Sequence, residues 1–218
     1  MANRIRPGVS LQHVRDALVT DGIVLVSGWE FEDFRRVMAE LGDIYQHPDA
    51  DPTGVTRVVP DNRSDAQSGH GFSLLELPLH TDRSSTPQPP RFLGLYLAQQ
   101  PDVGGVPKFA DLRLAFAGLS QHDLEQVNLV NLRGRSRPLV LASENTSYRY
   151  RDDPWWTLSG PTELTSTLRD AVAINSYTVP WLRTGDAYIL DNHRVVHGRT
   201  ELLGTSRVAM RILADGTL

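Results

Sequence analysis

Side chains two residues apart point to the same side of a β-strand, so an imidazole and a carboxylate at that spacing can grip one cation. His80-Thr81-Asp82 has this form. Joined by a distant third histidine, such a pair makes a 2-His-1-carboxylate triad, which leaves neighbouring positions open on a divalent iron for a chelating co-substrate and oxygen. The spacing alone is common: seven histidines, each with a 26 in 218 chance of an acid two positions on, give roughly 0.8 such pairs in a shuffled chain. This chain has two. The other, His47-Pro48-Asp49, follows a helix stop and precedes Asp51-Pro52-Thr53-Gly54, which reads as a solvated loop, whereas His80 follows the strand-like residues 74–79. The pair at 80 and 82 is preferred on that context.

The third ligand is sought in Gly185-Asp186-Ala187-Tyr188-Ile189-Leu190-Asp191-Asn192-His193-Arg194-Val195-Val196-His197-Gly198-Arg199. This reads as a turn, a strand, a tight turn closed by an aspartate or asparagine side chain, and a second strand. His193 and His197 are both candidates, and for either the plain alternative is a buried, hydrogen-bonded histidine. Just beyond, Arg207 and Arg211 are four residues apart, hence on one face of a strand and directed at one cavity. A further group, Tyr148, Arg149, Tyr150, Arg151, Trp155 and Trp156, suggests a lid that brings Arg149, Arg151 and Trp155 to a substrate. The plain alternative is a surface loop pinned by its aromatics.

Elements that could position these residues are legible in the hydrophobic pattern. Ser10 is placed to cap a helix with Leu11, Val14 and Leu18 on one face, closed by Asp21-Gly22. The β-branched run Ile23–Val26 follows, and then a second helix carrying Phe31, Phe34, Val37, Met38 and Leu41, with Gly42 as its stop. From residue 54 the pattern changes to short apolar runs at 55–59, 72–79, 92–98, 128–132, 138–143, 172–179, 187–190 and 207–213, separated by Gly, Pro, Asn and Asp. Helical interruptions are predicted near 120–128, where Ser120 precedes Asp123, and near 161–170. Loops are predicted at 47–54, 60–70 and 144–161. Many short strands at regular intervals predict a mainly β, α+β domain over residues 1–218, a sandwich or jelly roll with flanking N-terminal and inserted helices.

Composition narrows the chemistry. There is no cysteine, which removes disulfides, thiolate nucleophiles and cysteine-held metals, so any metal sits on His, Asp or Glu. A net charge of −4 gives no basic footprint for nucleic acid. No apolar run approaches the roughly 20 residues that span a bilayer, and the N-terminus does not read as a secretion signal, so a cytoplasmic protein with a small-molecule substrate is expected, with no membrane partner. The sequence carries no signal for an oligomeric state. Of the 22 basic residues one is a lysine, Lys108, a bias that codon usage explains as well as bidentate carboxylate recognition does.

Taken together, His-Thr-Asp at 80–82, Gly-Asp-x-x-x-x-Asp-Asn-x-Arg-x-x-His-Gly-Arg at 185–199 and Arg-Val-Ala-Met-Arg at 207–211 resemble the taurine dioxygenase, γ-butyrobetaine hydroxylase and clavaminate synthase superfamily of Fe(II)/2-oxoglutarate oxygenases. The likeness extends to Asp-Gly-Ile-Val-Leu-Val-Ser-Gly near the N-terminus, to the Leu-Gly-Asp-Ile helix end and to Pro-Asp-x-Gly-Gly at 101–105. It implies a double-stranded β-helix, with His80, Asp82 and His197 as iron ligands and His193 as a neighbour in the preceding turn. It also implies Arg207 as the anchor for the 2-oxoglutarate carboxylate, and Arg211 on an anionic part of the substrate. The implied activity is an oxygen-consuming oxidoreductase, most often a hydroxylase, acting on a small polar metabolite, amino-acid-like or of specialised metabolism, with release of succinate and CO2. One position departs from the pattern. Where many relatives have threonine after Gly-Gly, this chain has Gly104-Gly105-Val106-Pro107, and proline cannot donate a hydrogen bond to the co-substrate. Two other classes stay open: a jelly-roll binding module with a vestigial metal site, and a metal-dependent hydrolase using the same triad.

Overall fold

A computed structural model describes residues 3–5, 8, 10–60, 70–141, 146–179 and 182–218. In chain order the elements are β1 (Asn3–Ile5), α1 (Leu11–Asp21), β2 (Ile23–Val26), α2 (Phe31–Leu41), β3 (Asp43–Ile44) and β4 (Val55–Val58). After a short 3-10 turn come β5 (Leu77–His80), β6 (Phe92–Gln99), β7 (Pro107–Asp111), α3 (Leu112–Ala115) and α4 (Gln121–Glu125). The chain continues through β8 (Asn128–Asn131), β9 (Ser136–Pro138), β10 (Trp156–Ser159), α5 (Thr162–Ile174) and β11 (Tyr177–Thr178). It ends with β12 (Ala187–Asp191), β13 (Val195–Arg199) and β14 (Val208–Asp215).

Pairing is antiparallel throughout except between β1 and β2. The large sheet runs β1-β2-β12-β6-β14-β3, with β4 also on β14; a smaller sheet runs β11-β7-β13-β5, and β10-β8-β9 form a third. Alternation along the large sheet separates two cores. Val24, Val26, Ala187, Ile189 and Ile212 face α1 and α2, where they pack with Leu18, Phe34 and Met38. Ile23, Leu25, Leu93, Leu95, Tyr188, Leu190 and Leu213 face the opposite way, onto Phe109 of β7 and Val195 of β13 in the smaller sheet. Each such large side chain, fully buried, contributes roughly 1.5–3 kcal/mol.

The two N-terminal helices follow the sequence pattern. Ser10 accepts from the His13 N–H, and Gly22, at φ 72°, closes α1 in the left-handed region with its N–H on Leu18 O. Gly42 differs from expectation: its backbone is extended (φ 174°), and it is glycine because a Cβ there would collide with the Asp215 carbonyl at the end of β14. Ser120 and Asp123 form a reciprocal capping box on α4. The predicted strand at 172–179 is reduced to its end, since α5 runs to Ile174 and only Tyr177 and Thr178 pair. Of the run at 138–143, Pro138 ends the strand Ser136–Pro138 and Val140 makes an isolated bridge to Tyr148, while 142 and 143 lie outside the described residues. The predicted loop at 60–70 falls almost wholly outside the described residues.

The segment read as a lid is built into the interior. Tyr148, Tyr150 and Trp156 are buried in a third core with Leu112, Phe116, Leu129 and Leu168, and Trp155 packs against its edge. No helix among the described residues is long and apolar enough to cross a membrane.

Candidate metal and co-substrate site

His80 is the last residue of β5 and pairs in register with His197 of β13, which pairs in turn with Phe109 of β7. The two imidazole centroids are 4.5 Å apart. Asp82 lies beyond the strand end, so strand periodicity does not place it. A turn does, with Arg83 in the left-handed region at φ 57°. Its backbone is clamped by Asn192, which is fully buried: Asn192 Oδ1 accepts from the Asp82 N–H at 2.7 Å, and Nδ2 donates to Asp82 O at 3.0 Å and Pro90 O at 2.8 Å. Thr81 is tied to Tyr150, its N–H donating to Tyr150 O at 2.8 Å and its hydroxyl accepting from the Tyr150 N–H at 3.0 Å.

Asn192 belongs to the turn anticipated between β12 and β13. Asp191 Oδ1 accepts from the His193 N–H at 3.0 Å, closing that turn. Arg194 then donates to Asp111 and to the Val19 and Thr20 carbonyls, which fastens the turn to the C-terminal end of α1. His193 does not line the cavity that His80, Asp82 and His197 share, and its Nε2 lies 2.8 Å from Pro89 O.

His80, Asp82 and His197 line one cavity of about 300 Å3, at the small end of the roughly 300–1,000 Å3 common for ligand sites. Arg151, Arg207 and Arg211 line it as well. Burial, and then the nearby His80, push the His197 imidazole down to about 3, and burial likewise lowers His80. Both rings are therefore neutral at ordinary pH, the form that ligates metals. The His80 Nδ1 is 2.9 Å from Pro78 O, a hydrogen bond that leaves Nε2 with the lone pair. His197 Nδ1 is buried without a hydrogen-bond partner among the described residues, the kind of orphaned polar atom that a bound group accounts for. Burial alone would raise the Asp82 carboxyl, but Arg211, His197, His80 and His47 together hold it well below the usual carboxylate range. Two neutral imidazoles and a carboxylate suit a divalent cation. As they stand, however, no three His or acidic side chains among the described residues close around a common point. The Asp82 carboxylate is instead engaged by Arg211 Nη1, at 3.0 and 3.3 Å.

The arginines divide by what their guanidinium groups touch. Arg207 is 7% exposed, lies beside Tyr188, and has no hydrogen bond or ion pair among the described residues. Arg151 pairs with Asp153 at 2.5 Å on the cavity wall. Arg149, expected on the substrate, is elsewhere: buried, it donates to the carbonyls of Ser84 (2.9 Å), Thr86 (2.7 Å) and Pro87 (3.1 Å), bracing the loop that follows Asp82. Trp155 does not line the cavity either.

Three lining residues, His47, Asp49 and Tyr188, were not anticipated. His47 and Asp49, read as a solvated loop, line the cavity, with the His47 side chain only 11% exposed and its imidazole lowered to about 4 by burial and then by Arg211. Tyr188 lies on the same face of β12 as Leu190, with its ring centroid 6.3 Å from that of His197. A polar aromatic inside the apolar run 187–190, at the alternate position, was the available signal. Pro107 opens β7 and lines the cavity where the threonine of relatives was expected.

The sequence matches, over residues 7–136, the family described as taurine catabolism dioxygenase TauD, TfdA family. The chain belongs to this dioxygenase family. The matched stretch contains His80 and Asp82 and ends before His197. No curated protein matches the sequence. Among solved structures, PvcB from Pseudomonas aeruginosa is similar with a TM-score of 0.72 at 19% identity, over 98% of this chain and 85% of that one. The asparagine oxygenase AsnO superposes with a TM-score of 0.71 at 19% identity, covering 94% and 77% of the two chains. The non-haem iron oxygenase OrfP, solved with Fe, succinate and (3R,4R)-dihydroxy-L-Arg, gives 0.70 at 19% identity over 95% and 81%. At these identities the likeness is one of fold.

Proposed function

We propose that this chain is an Fe(II)- and 2-oxoglutarate-dependent dioxygenase that hydroxylates a small polar, amino-acid-like metabolite, with His80, Asp82 and His197 holding the iron. The two facing sheets are read as a double-stranded β-helix forming one domain. The observation that carries the reading is the meeting, in one cavity, of two neutral histidines paired across adjacent strands, one carboxylate and a buried arginine with no anion of its own among the described residues. A metal held there supplies an open redox centre for oxygen activation coupled to oxidation of 2-oxoglutarate to succinate and CO2. Arg207 takes the far carboxylate of the co-substrate by charge-assisted hydrogen bonds and, with proline at position 107, carries that recognition without a threonine. Tyr188, Leu95, Leu97 and Leu182 form an apolar wall that keeps water from the reacting atoms. Asp49, Asp153, Arg151 and Arg211 put both charge signs on the cavity wall, which suits a zwitterion. The structural neighbours crystallised with hydroxylated asparagine and arginine point to the same substrate class.

The test is succinate formation from 2-oxoglutarate with a panel of amino acids and small polar metabolites. Turnover is expected to require both Fe(II) and oxygen. Activity with Zn2+ in place of Fe2+ would favour the hydrolase reading, and absence of succinate with every metabolite would favour the binding module.

A further inference from the structure

Asp82 has an internal cation on its carboxylate. Arg211, on β14 between β4 and β6, reaches both oxygens through one nitrogen, Nη1. The other donors of that guanidinium, Nε and Nη2, are buried without partners among the described residues. A group held by one nitrogen while its remaining donors go unsatisfied is poorly anchored, since each buried, unpaired donor is unfavourable. The neighbouring Arg207 faces the same cavity but makes no ion pair with Asp82.

We propose that Arg211 is a competitor for the metal: it occupies the Asp82 carboxylate in the metal-free protein, and a divalent ion binds only by displacing it. This rests on the reading of His80, Asp82 and His197 as the metal ligands. The pair would keep a buried carboxylate compensated before loading and set a threshold that weakly held divalent ions do not pass. The displaced guanidinium would be left with its donors free for an anionic group of the substrate, so metal loading would prepare the substrate site. Arg211 is in this sense a positioning residue for the metal ligand.

The experiment is calorimetric titration of the full chain with Co2+, without co-substrate, for wild type, Arg211→Met and Arg207→Met. Removing the competitor is expected to tighten Co2+ binding at least 10-fold in Arg211→Met. Arg207→Met removes a cation from the same cavity and leaves the pair intact, so it is expected to stay within about threefold of wild type. Equal gains in the two variants would mean general charge repulsion and would overturn the proposal, as would unchanged or weaker binding in Arg211→Met. If the methionine variant does not fold, Arg211→Gln serves and reads the same way. Failure of wild type and Arg211→Met alike to bind Co2+ would overturn the metal site itself.

Discussion

Asn192→Ala probes how the turn that carries Asp82 is held. The side chain is fully buried, accepts one hydrogen bond from Asp82 and donates two, to Asp82 O and Pro90 O. Truncation leaves one N–H and two carbonyls without these partners in a site closed to bulk water. At roughly 1 kcal/mol for each lost bond, the low end for unsatisfied buried groups, the variant is expected to lose about 3 kcal/mol. For a chain of this size that lowers Tm by roughly 6–12 °C. Asn192→Asp is the sharper comparison because it is nearly isosteric and keeps the acceptor for the Asp82 N–H. It turns the two donated bonds into contacts between oxygen lone pairs and adds a buried charge, so it is expected to be at least as damaging as alanine. Urea unfolding gives the stability change, and Co2+ titration of each folded variant gives the second readout, expected to weaken at least 10-fold as Asp82 loses its fixed backbone. Variants within 1 kcal/mol of wild type with unchanged Co2+ affinity would refute the clamp.

Three further outcomes follow from the arginines and histidines. Arg207→Met is expected to raise the Kd for 2-oxoglutarate roughly 10- to 150-fold, the loss of 1.5–3 kcal/mol of charge-assisted hydrogen bonding, with thermal stability maintained because Arg207 has no hydrogen-bond partner among the described residues; equilibrium binding decides it. Arg149→Met is expected to destabilise the fold by about 3 kcal/mol through the three carbonyls it leaves, measured by urea unfolding, with no selective effect on substrate KM in the enzyme that remains folded. Metal-free protein is expected to lose stability in mild acid. His197 titrates at about 3 when folded and near 6.5 otherwise, so the unfolded chain takes up its proton first. That contribution is complete above pH 6.5 and falls as pH drops toward 3, amounting to about 2 kcal/mol between pH 7 and pH 5. His47 and His80 act in the same direction. A chelator-treated sample with a flat Tm from pH 7 to 5 would contradict this.

Legibility from sequence tracked how local the physics was. α1 and α2 were readable because their apolar faces, the Ser10 cap and the Gly22 stop are encoded within a few residues. β7 was not, because it begins at a proline and its remaining residues carry no alternation. Metal-ligand candidates were legible as motifs, yet the expected reason was partly wrong, since Asp82 sits in a turn fixed by Asn192, 110 positions away. Arg149 and Arg207 look alike in a sequence. Only the fold shows that one donates to three carbonyls and that the other has no such partner among the described residues, because a guanidinium's partners are set by distant loops. His47 was set aside on the turn residues around it, which describe its backbone well and say nothing of where the loop packs.

The most direct test of iron and 2-oxoglutarate at this site is anaerobic titration of the Fe(II)-loaded protein with 2-oxoglutarate, followed by visible absorption. Chelation of the keto acid to protein-bound Fe(II) is expected to give a saturable charge-transfer band, absent in His197→Ala and requiring much higher 2-oxoglutarate in Arg207→Met. No band in wild type, or an undiminished one in His197→Ala, would contradict the placement of the metal on His80, Asp82 and His197.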